Sequence, residues 1–503
     1  MRSVRLFAII LASAAVAAAA SPAAAQQQNL IVQSTTSVRD AGLLDQLIAP
    51  RFERSYPQWD LKFIAVGTGQ AIANARAGQG DVLIGHSPSL ERQFVQDGFS
   101  YEPVGRTVMW NDYVVVGPAS DPAGILAAAR NDAVGAFEAI AAAGAAGRAS
   151  FVSRGDNSGT NNKEKEIWGL SGVARNASSE PSEGSGNPAW YHKAGLGMAD
   201  TLRVTQQCPF SGGGCYTLTD RGTLEQLTRN GAITGRSVVM DDQSASARGG
   251  HGLMLNVYNV YAVNPAKFPG VKLEGALAFM DFLTSQSFQS ALARFPSPRR
   301  PGFFPAAFPH VTLARRLPPA VSAARRVTVA GQVASAVPGA DPLIGLRIRL
   351  TRFATALNPI FEDRGRAGAA GAFQLSARLT RSGPQFLTAP RFLNLSPLRY
   401  ALGRVRVRAS VSLAPVHVTG SVVTLRGRAL PAADRRRPFL QVRARRAGDR
   451  GFGLVRRVRL ARRGGRYRVA VDLPAGSWQL RTRYVDRGIV SPGASRIRSV
   501  AVP

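Results

Sequence analysis

The sequence predicts a two-lobed α/β fold followed by two small all-β domains, and three observations predict it. Up to about residue 292, short apolar runs alternate with segments of helical periodicity, the pattern of a parallel sheet. Two long strand-like segments, "RTVMWNDYVVVGP" and "MLNVYNVYAVNP", flank the interval of about 120–250 and make it an inserted second lobe. From about Arg325 the helical period gives way to short alternating strands.

Charge changes at the same place. The chain carries a formal net charge of +32. Residues 301–503 hold 37 Arg, no Lys and 7 acidic residues, whereas residues 26–300 hold 24 basic and 24 acidic residues. A neutral globular region has been joined to an arginine-rich one. The N-terminus explains where such a chain resides. Arg2 and Arg5 precede an apolar run, and Ala23 and Ala25 fit a small-x-small cleavage pattern, so residues 1–25 read as a secretory signal peptide with Gln26 first in the mature chain. No cysteine lies near that point to carry a lipid, and no later apolar run is long enough to span a bilayer. Export argues against nucleic acid as the partner of the arginines. It also favours a disulfide between Cys208 and Cys215, closing the loop "CPFSGGGC".

The first region follows in order. "LIVQSTTS" is a buried-strand pattern ending in hydroxyl residues, and a helix follows with Leu43, Leu44, Leu47, Ile48 and Phe52 at helical spacing. The strand "LKFIAV" runs through "GTGQ" into the helix "AIANARAG", and "DVLIG" runs through "HSPS" into another helix. "RASFVSRGDNSGT" then precedes the helix "NNKEKEIWGL". "LEGALAFMDFLTSQSFQSALARF" supplies terminal helices that return to lobe one, so lobe one is about 26–115 and 255–292.

Ligands of such sheets bind where strands end and helices begin. Here four of those turns are rich in Ser, Thr and Gly: Ser34–Ser37, Gly67–Gly69, Ser87–Ser89 and the stretch led by Arg154. Together they suit a small tetrahedral oxyanion. Helix N-termini attract negative charge, hydroxyls donate, glycine lets amides approach closely, and one arginine adds a charge-assisted contact. A single turn of this kind is ordinarily just an N-cap; the set carries the reading.

The stretches "STTSVRDAGLLDQL", "VGTGQA", "DVLIGHSP", "WNDYVVVGP", "SRGDNSGTNNKEKEIW" and "YTLTDRGT" resemble, in residues and in order, the tungstate-binding proteins of ABC importers, the TupA-like family, over about residues 28–292. The resemblance implies a type II periplasmic-binding-protein fold that closes over one oxyanion and delivers it to an ABC transporter permease, with no catalysis, no cofactor and no metal cation. It implies that Thr35, Thr36 and Ser37 offer hydroxyls and amides, that Thr68 and Gly69 add a second turn, and that Arg154, Ser158, Gly159 and Thr160 close from lobe two. Tungstate is the expected ligand and molybdate the second. Two features depart from the family: Ser87, where many relatives have Ala, and the insert around "QQCPFSGGGC".

Rival signals have bland readings. "GHSPS" nearly matches the hydrolase elbow, but Ser89 stands where glycine is needed and no triad order follows. "RGD" at Arg154–Asp156 is a short tripeptide that recurs by chance. His86, His192 and His251 read as scattered structural histidines, and Asp220 with Arg221 as an ion pair within lobe two. Phosphate or sulfate is the nearest rival ligand. HPO₄²⁻ needs an acceptor for its proton, and Asp156 either supplies that acceptor or stabilises the helix start.

In the second region the strands align as a repeat of roughly 80–95 residues ("GAFQL" and "GRYRV" matching), the spacing of two Ig- or fibronectin-III-like sandwiches over 326–407 and 408–503. The stretch 293–325 is Pro-rich and reads as a linker. Arg alternating with Val or Leu faces solvent, which is either a solvated surface or an adhesive one for an anionic envelope polymer. The expectation is an exported monomer, periplasmic or extracellular and cell-envelope associated.

Overall fold

In a computed structural model the protein is described over residues 27–503, apart from 175–179, 183–185, 211–212, 341, 356–357, 433–437, 461–464 and 487–489. The signal-peptide stretch lies outside the described residues. No helix among them is long and apolar enough to cross a membrane.

The first region is an α/β unit built on one composite sheet. Its strands are β1 (Gln28–Thr35), β2 (Trp59–Val66), β3 (Val82–Gly85), β4 (Arg106–Pro118), β5 (Ser150–Ser153), β6 (Tyr191–Lys193), β7 (Cys215–Asp220), β8 (Arg236–Met240) and β9 (Leu255–Ala262). They lie in the order β2-β1-β3-β9-β4-β7-β5-β6, with β8 also paired to β4. β1 pairs in parallel with β2 and β3, and β5 in parallel with β6 and β7, so each lobe has its own parallel centre. Parallel strands need covering on both faces. Lobe one is covered by helices such as Leu273–Leu283, burying Leu30, Val32, Phe52 and Phe279. Lobe two buries Phe137, Phe151 and Trp168 against one another.

The two segments expected to cross between lobes differ. β4 and β9 pair antiparallel from Arg106↔Val260 to Asp112↔Leu255. Beyond Asp112, β4 leaves β9 and pairs with β7 from Tyr113 onward. β4 therefore runs through both lobes, while β9 stays in the first. A 13-residue strand can do this because its sequence is apolar on both faces along its second half, Val114–Val116 being fully buried.

The disulfide Cys208–Cys215 is formed, with Cα atoms 5.5 Å apart. The arginine-rich region is all-β. One pair of sheets has three and five strands and the next has four and five, and their interior residues form one continuous apolar cluster from Val311 to Val502. The Pro-rich stretch 293–325 carries structure of its own: Phe303 is fully buried in the lobe-one core, Phe304–Pro305 pairs with β4, and His310–Arg315 is a strand of the β region. The aromatic content of "PGFFPAAF" explains this, since Phe303 lies against Tyr258 and Phe304 stacks on Trp110 at 4.5 Å. The β region also grips lobe one directly. Arg391 makes two hydrogen bonds to Glu102, at 2.8 and 2.7 Å, and Asn394 accepts from the Thr107 amide at 3.0 Å.

Candidate functional site

Five strand ends converge between the lobes. β1 delivers Ser34 and Thr35 to the start of the helix Thr36–Asp40, where Thr35 is the N-cap residue but its side chain caps nothing. β2 ends before Gly67, which caps the helix Thr68–Arg76 without a side chain. From lobe two, β5 ends at Ser153 and the chain turns through Arg154, Gly155, Asp156 and Asn157 to Ser158, whose hydroxyl accepts from the Asn161 amide at 3.3 Å and starts the helix Gly159–Ser171.

The hydroxyls of Ser34, Thr35, Ser37, Thr68 and Thr160, and the Arg154 Nε, are buried and have no hydrogen-bond partner among the described residues. Buried polar groups are ordinarily satisfied, because leaving one unpaired costs about 1–3 kcal/mol. Six in one place is the signature of a site built for something outside the chain. All six belong to three of the four turns singled out in the sequence. All six can donate a hydrogen bond, a set that suits an acceptor-only anion.

Arg154 is 1 % exposed, deeper than a surface arginine ever needs to be. Its Nη2 donates to Thr36 Oγ1 at 3.1 Å and to the carboxylate of Asp156. The first of these contacts joins the two lobes. Asp156 also accepts from the Ser158 amide at 3.1 Å. Both of its oxygens are therefore engaged in bracing the arginine and shaping the turn.

The lobes touch across the site. A Cβ on Gly159 would stand 2.5 Å from Cε1 of His86, and one on Gly69 would stand 3.2 Å from the Asn157 carbonyl oxygen. Only glycine permits such approach. His86, expected to be incidental, is thus the lobe-one floor beneath Gly159. It stacks on Tyr258, its Nδ1 lies 2.8 Å from Asn256 Oδ1, and burial pushes it down to about 4, helped by the Arg154 charge, so it is neutral. A cavity of about 650 Å³ opens beside it, bounded by Tyr113 and Gly159 and, from the β region, by Val337–Ala340.

Of three other sequence readings, only the Asp220–Arg221 pair is overturned. Ser87 is an N-cap whose amide donates to Glu91 Oε1 at 2.5 Å, and its hydroxyl is not among the unpartnered ones. Asp220 and Arg221 do not pair. Asp220 caps its own helix by accepting from the amide and hydroxyl of Thr223, while Arg221 reaches Asp112 on the hinge strand at 2.7 and 2.5 Å. His192 stacks on Phe210 and His251 contacts the Gln243 carbonyl, both outside this site.

Sequence reasoning missed a fifth turn, Asp220–Thr223, at the end of β7. The Thr223 hydroxyl lies 3.3 Å from the Ser37 carbonyl oxygen in the other lobe, and Thr223 is fully buried. The hydroxyl-and-glycine spelling of "TDRGT" was the available signal. Behind Arg154 lies Glu164, which accepts from Ser153 at 2.8 Å and Tyr191 at 2.6 Å; burial raises it to about 7.

With this geometry in hand, the relatives are informative. A family model described as the PBP superfamily domain matches residues 17–287. The tungstate-binding protein TupA of Peptoclostridium acidaminophilum is 34% identical over 266 residues, 53% of this chain and 81% of that protein. TupA of Campylobacter jejuni is 31% identical over 268 residues, 53% of this chain and 87% of that protein. A Haloferax volcanii protein named for ABC-transporter anion binding is 41% identical over 277 residues, 55% of this chain and 71% of that protein.

Proposed function

The chain belongs to the TupA-like branch of the PBP superfamily, and from that premise we propose how it takes its ligand. It is a substrate-binding protein, not an enzyme: it captures tungstate in the periplasm for an ABC importer. We assign the ligand contacts to Thr35, Thr36 and Ser37 from β1, Thr68 and Gly69 from the second turn, and Arg154, Ser158, Gly159 and Thr160 from lobe two. Ser34 and Thr223 join them as new candidates. The observation that carries this assignment is the set of five buried hydroxyls and the Arg154 Nε without partners. Tungstate is a dianion with no proton to donate, so a cage of donors suits it, and the helix starts add positive potential. Molybdate has the same charge and shape and fits the same cage.

Phosphate is the rival reading, and the engagement of both Asp156 oxygens with Arg154 and Ser158 supports bracing over proton acceptance. Closure is read as rotation about β4 near Asp112–Tyr113, where the strand changes partners. The permease would read the closed form of a monomer. For the C-terminal region we propose two Ig- or fibronectin-III-like sandwiches, the first taking in the strand His310–Arg315 and running to about 407 and the second over 408–503, that adhere to an anionic polymer of the cell envelope and keep the receptor near its importer.

Calorimetry and thermal melts with tungstate, molybdate, phosphate and sulfate test the receptor reading. Tungstate is expected to bind tightly and raise the melting temperature. Arg154→Ala should abolish that rise; an unchanged rise would refute the assignment of Arg154, and stabilisation by phosphate alone would overturn the ligand.

A further inference from the structure

Among the many arginines of the β region, four line one concavity. The strands Arg347–Thr355 and Asn358–Arg366 pair antiparallel, and the register sets Arg347 directly opposite Arg366 and Arg349 directly opposite Arg364. Directly opposed residues share a sheet face, so all four guanidinium groups project from one side, two pairs about 7 Å apart along the strands. They surround a concavity of about 340 Å³. Arg347, Arg364 and Arg366 are exposed and Arg349 is half-buried. Among the described residues no carboxylate pairs with any of the four, although Arg352 on the same strand has found Glu362 at 3.1 Å.

Like charges directly opposite one another destabilise a strand pair. This sheet keeps them and holds them in place. Arg349 lies over the Phe361 ring at 4.7 Å, and two strands away in the same sheet Arg399 lies over Phe353 at 4.4 Å and Phe386 at 4.9 Å. The aromatic faces are thus occupied as props for guanidinium groups. Edge strands are often blunted with charge, but a single lysine would serve that end, and it would need no concavity.

We propose that the Arg347–Arg349–Arg364–Arg366 face is a binding site for a linear phosphodiester polymer, a conclusion that rests on the envelope-adhesion reading above and gives it an address. Two guanidinium forks on one face of a strand pair suit a tetrahedral phosphate, whose oxygens diverge, better than a planar carboxylate, which a single fork satisfies. Two such pairs in succession suit a chain of phosphates. A concavity whose apolar rings are already covered suits a polymer strand better than a bilayer. The arrangement recurs in the second sandwich, where Arg426 opposes Arg468 and Arg428 opposes Arg466, all four exposed. Two sites on one chain give avidity for a polymer and none for a monomeric phosphate.

The test uses the full mature chain with saturating tungstate, so that the oxyanion cleft is occupied, and poly(glycerol phosphate) as the probe. Binding is expected to be saturable and salt-sensitive. The combined variant Arg347→Gln, Arg349→Gln, Arg364→Gln and Arg366→Gln should weaken it about tenfold or more, as loss of several phosphate contacts does. It should melt no lower than the parent, since it removes repulsion. A charge-matched variant, Arg315→Gln, Arg316→Gln, Arg325→Gln and Arg378→Gln, should bind nearly as the parent does. Equal losses in the two variants would overturn the site while leaving adhesion standing. No binding of the polymer by the parent would overturn both. Tighter binding to poly-glutamate, or to phosphatidylglycerol vesicles, would overturn the phosphodiester polymer as occupant.

Discussion

The two regions of this molecule handle positive charge in opposite ways. In the neutral first region cations find carboxylates: Arg106 pairs with Glu102 and Asp281, Arg221 with Asp112, and Arg248 with Glu138. In the second region, where acids are scarce, arginines rest on rings: Arg349 on Phe361, Arg446 on Trp478, Arg459 on Phe439, and both Arg445 and Arg481 on Phe452. The first arrangement leaves one guanidinium, that of Arg154, buried beside unpartnered hydroxyls with its Nε without a partner, the place proposed for a single desolvated anion. The second leaves a whole face of guanidinium groups hydrated and spread out. On the reading proposed above, burial makes one charge selective and exposure makes many charges adhesive.

The sharpest way to break the contrast is to keep the first region from closing. Gly159→Val puts a branched side chain where His86 stands 2.5 Å from the Cβ position. Tungstate binding should be lost in calorimetry, while polymer binding by the arginine-rich face should be untouched. Equal loss of both would mean that the two regions do not act separately. A smaller probe, His86→Ala on the Gly159→Val background, should restore part of the tungstate affinity by making room.

The next effect concerns pH. Glu164 is fully buried, and its pKa rises from 4.5 to about 7. A carboxyl raised in the folded state favours folding when protonated, so its contribution is fully present below 4.5 and is lost as pH climbs through 7. The shift corresponds to about 3 kcal/mol across that window. Glu164→Gln should remove this fall between pH 4.5 and 7.5, read by urea melts at fixed salt, and leave the opposing rise that His86, pushed down to about 4, contributes between pH 4 and 6.5. A profile that keeps its slope would remove Glu164 from the account. No comparable slope is expected from the arginine-rich region, whose cations do not titrate there.

The readability of the two regions differs for the same physical reason. Local rules were enough to mark the turns at Ser34–Ser37 and Gly67–Gly69 and the stretch led by Arg154, because a strand end followed by Ser, Thr or Gly and a helix start is a local signal. The alternation of β strands in the second region was local as well. What could not be read were contacts between residues far apart in sequence. Nothing local in "TDRGT" says that Arg221 will choose Asp112 over its neighbour Asp220. Nothing around "GHSPS" says that His86 will lie against Gly159. The Pro-rich stretch at 293–325 misled because proline marks loops on average, whereas Phe303 and Phe304 find rings on Tyr258 and Trp110 that only the folded sheet brings near.

The smallest expected effect tests how the arginine face is held. Phe361 is half exposed, so its own burial contributes little, and its main contact of note is the guanidinium of Arg349 above it. Phe361→Leu keeps an apolar side chain and removes the ring quadrupole, which at an exposed site is worth about 0.5–1 kcal/mol. Urea melts of the full chain should show a loss of that order or less, and polymer affinity should fall only about twofold because Arg349 still carries its charge. The salt dependence separates the two regions. A guanidinium resting on a ring is less sensitive to added salt than an exposed ion pair such as Arg248–Glu138. The loss from Phe361→Leu should therefore persist at high salt, where the loss from Glu138→Gln fades. If both fade together, Arg349 is held by diffuse electrostatics and not by the ring beneath it.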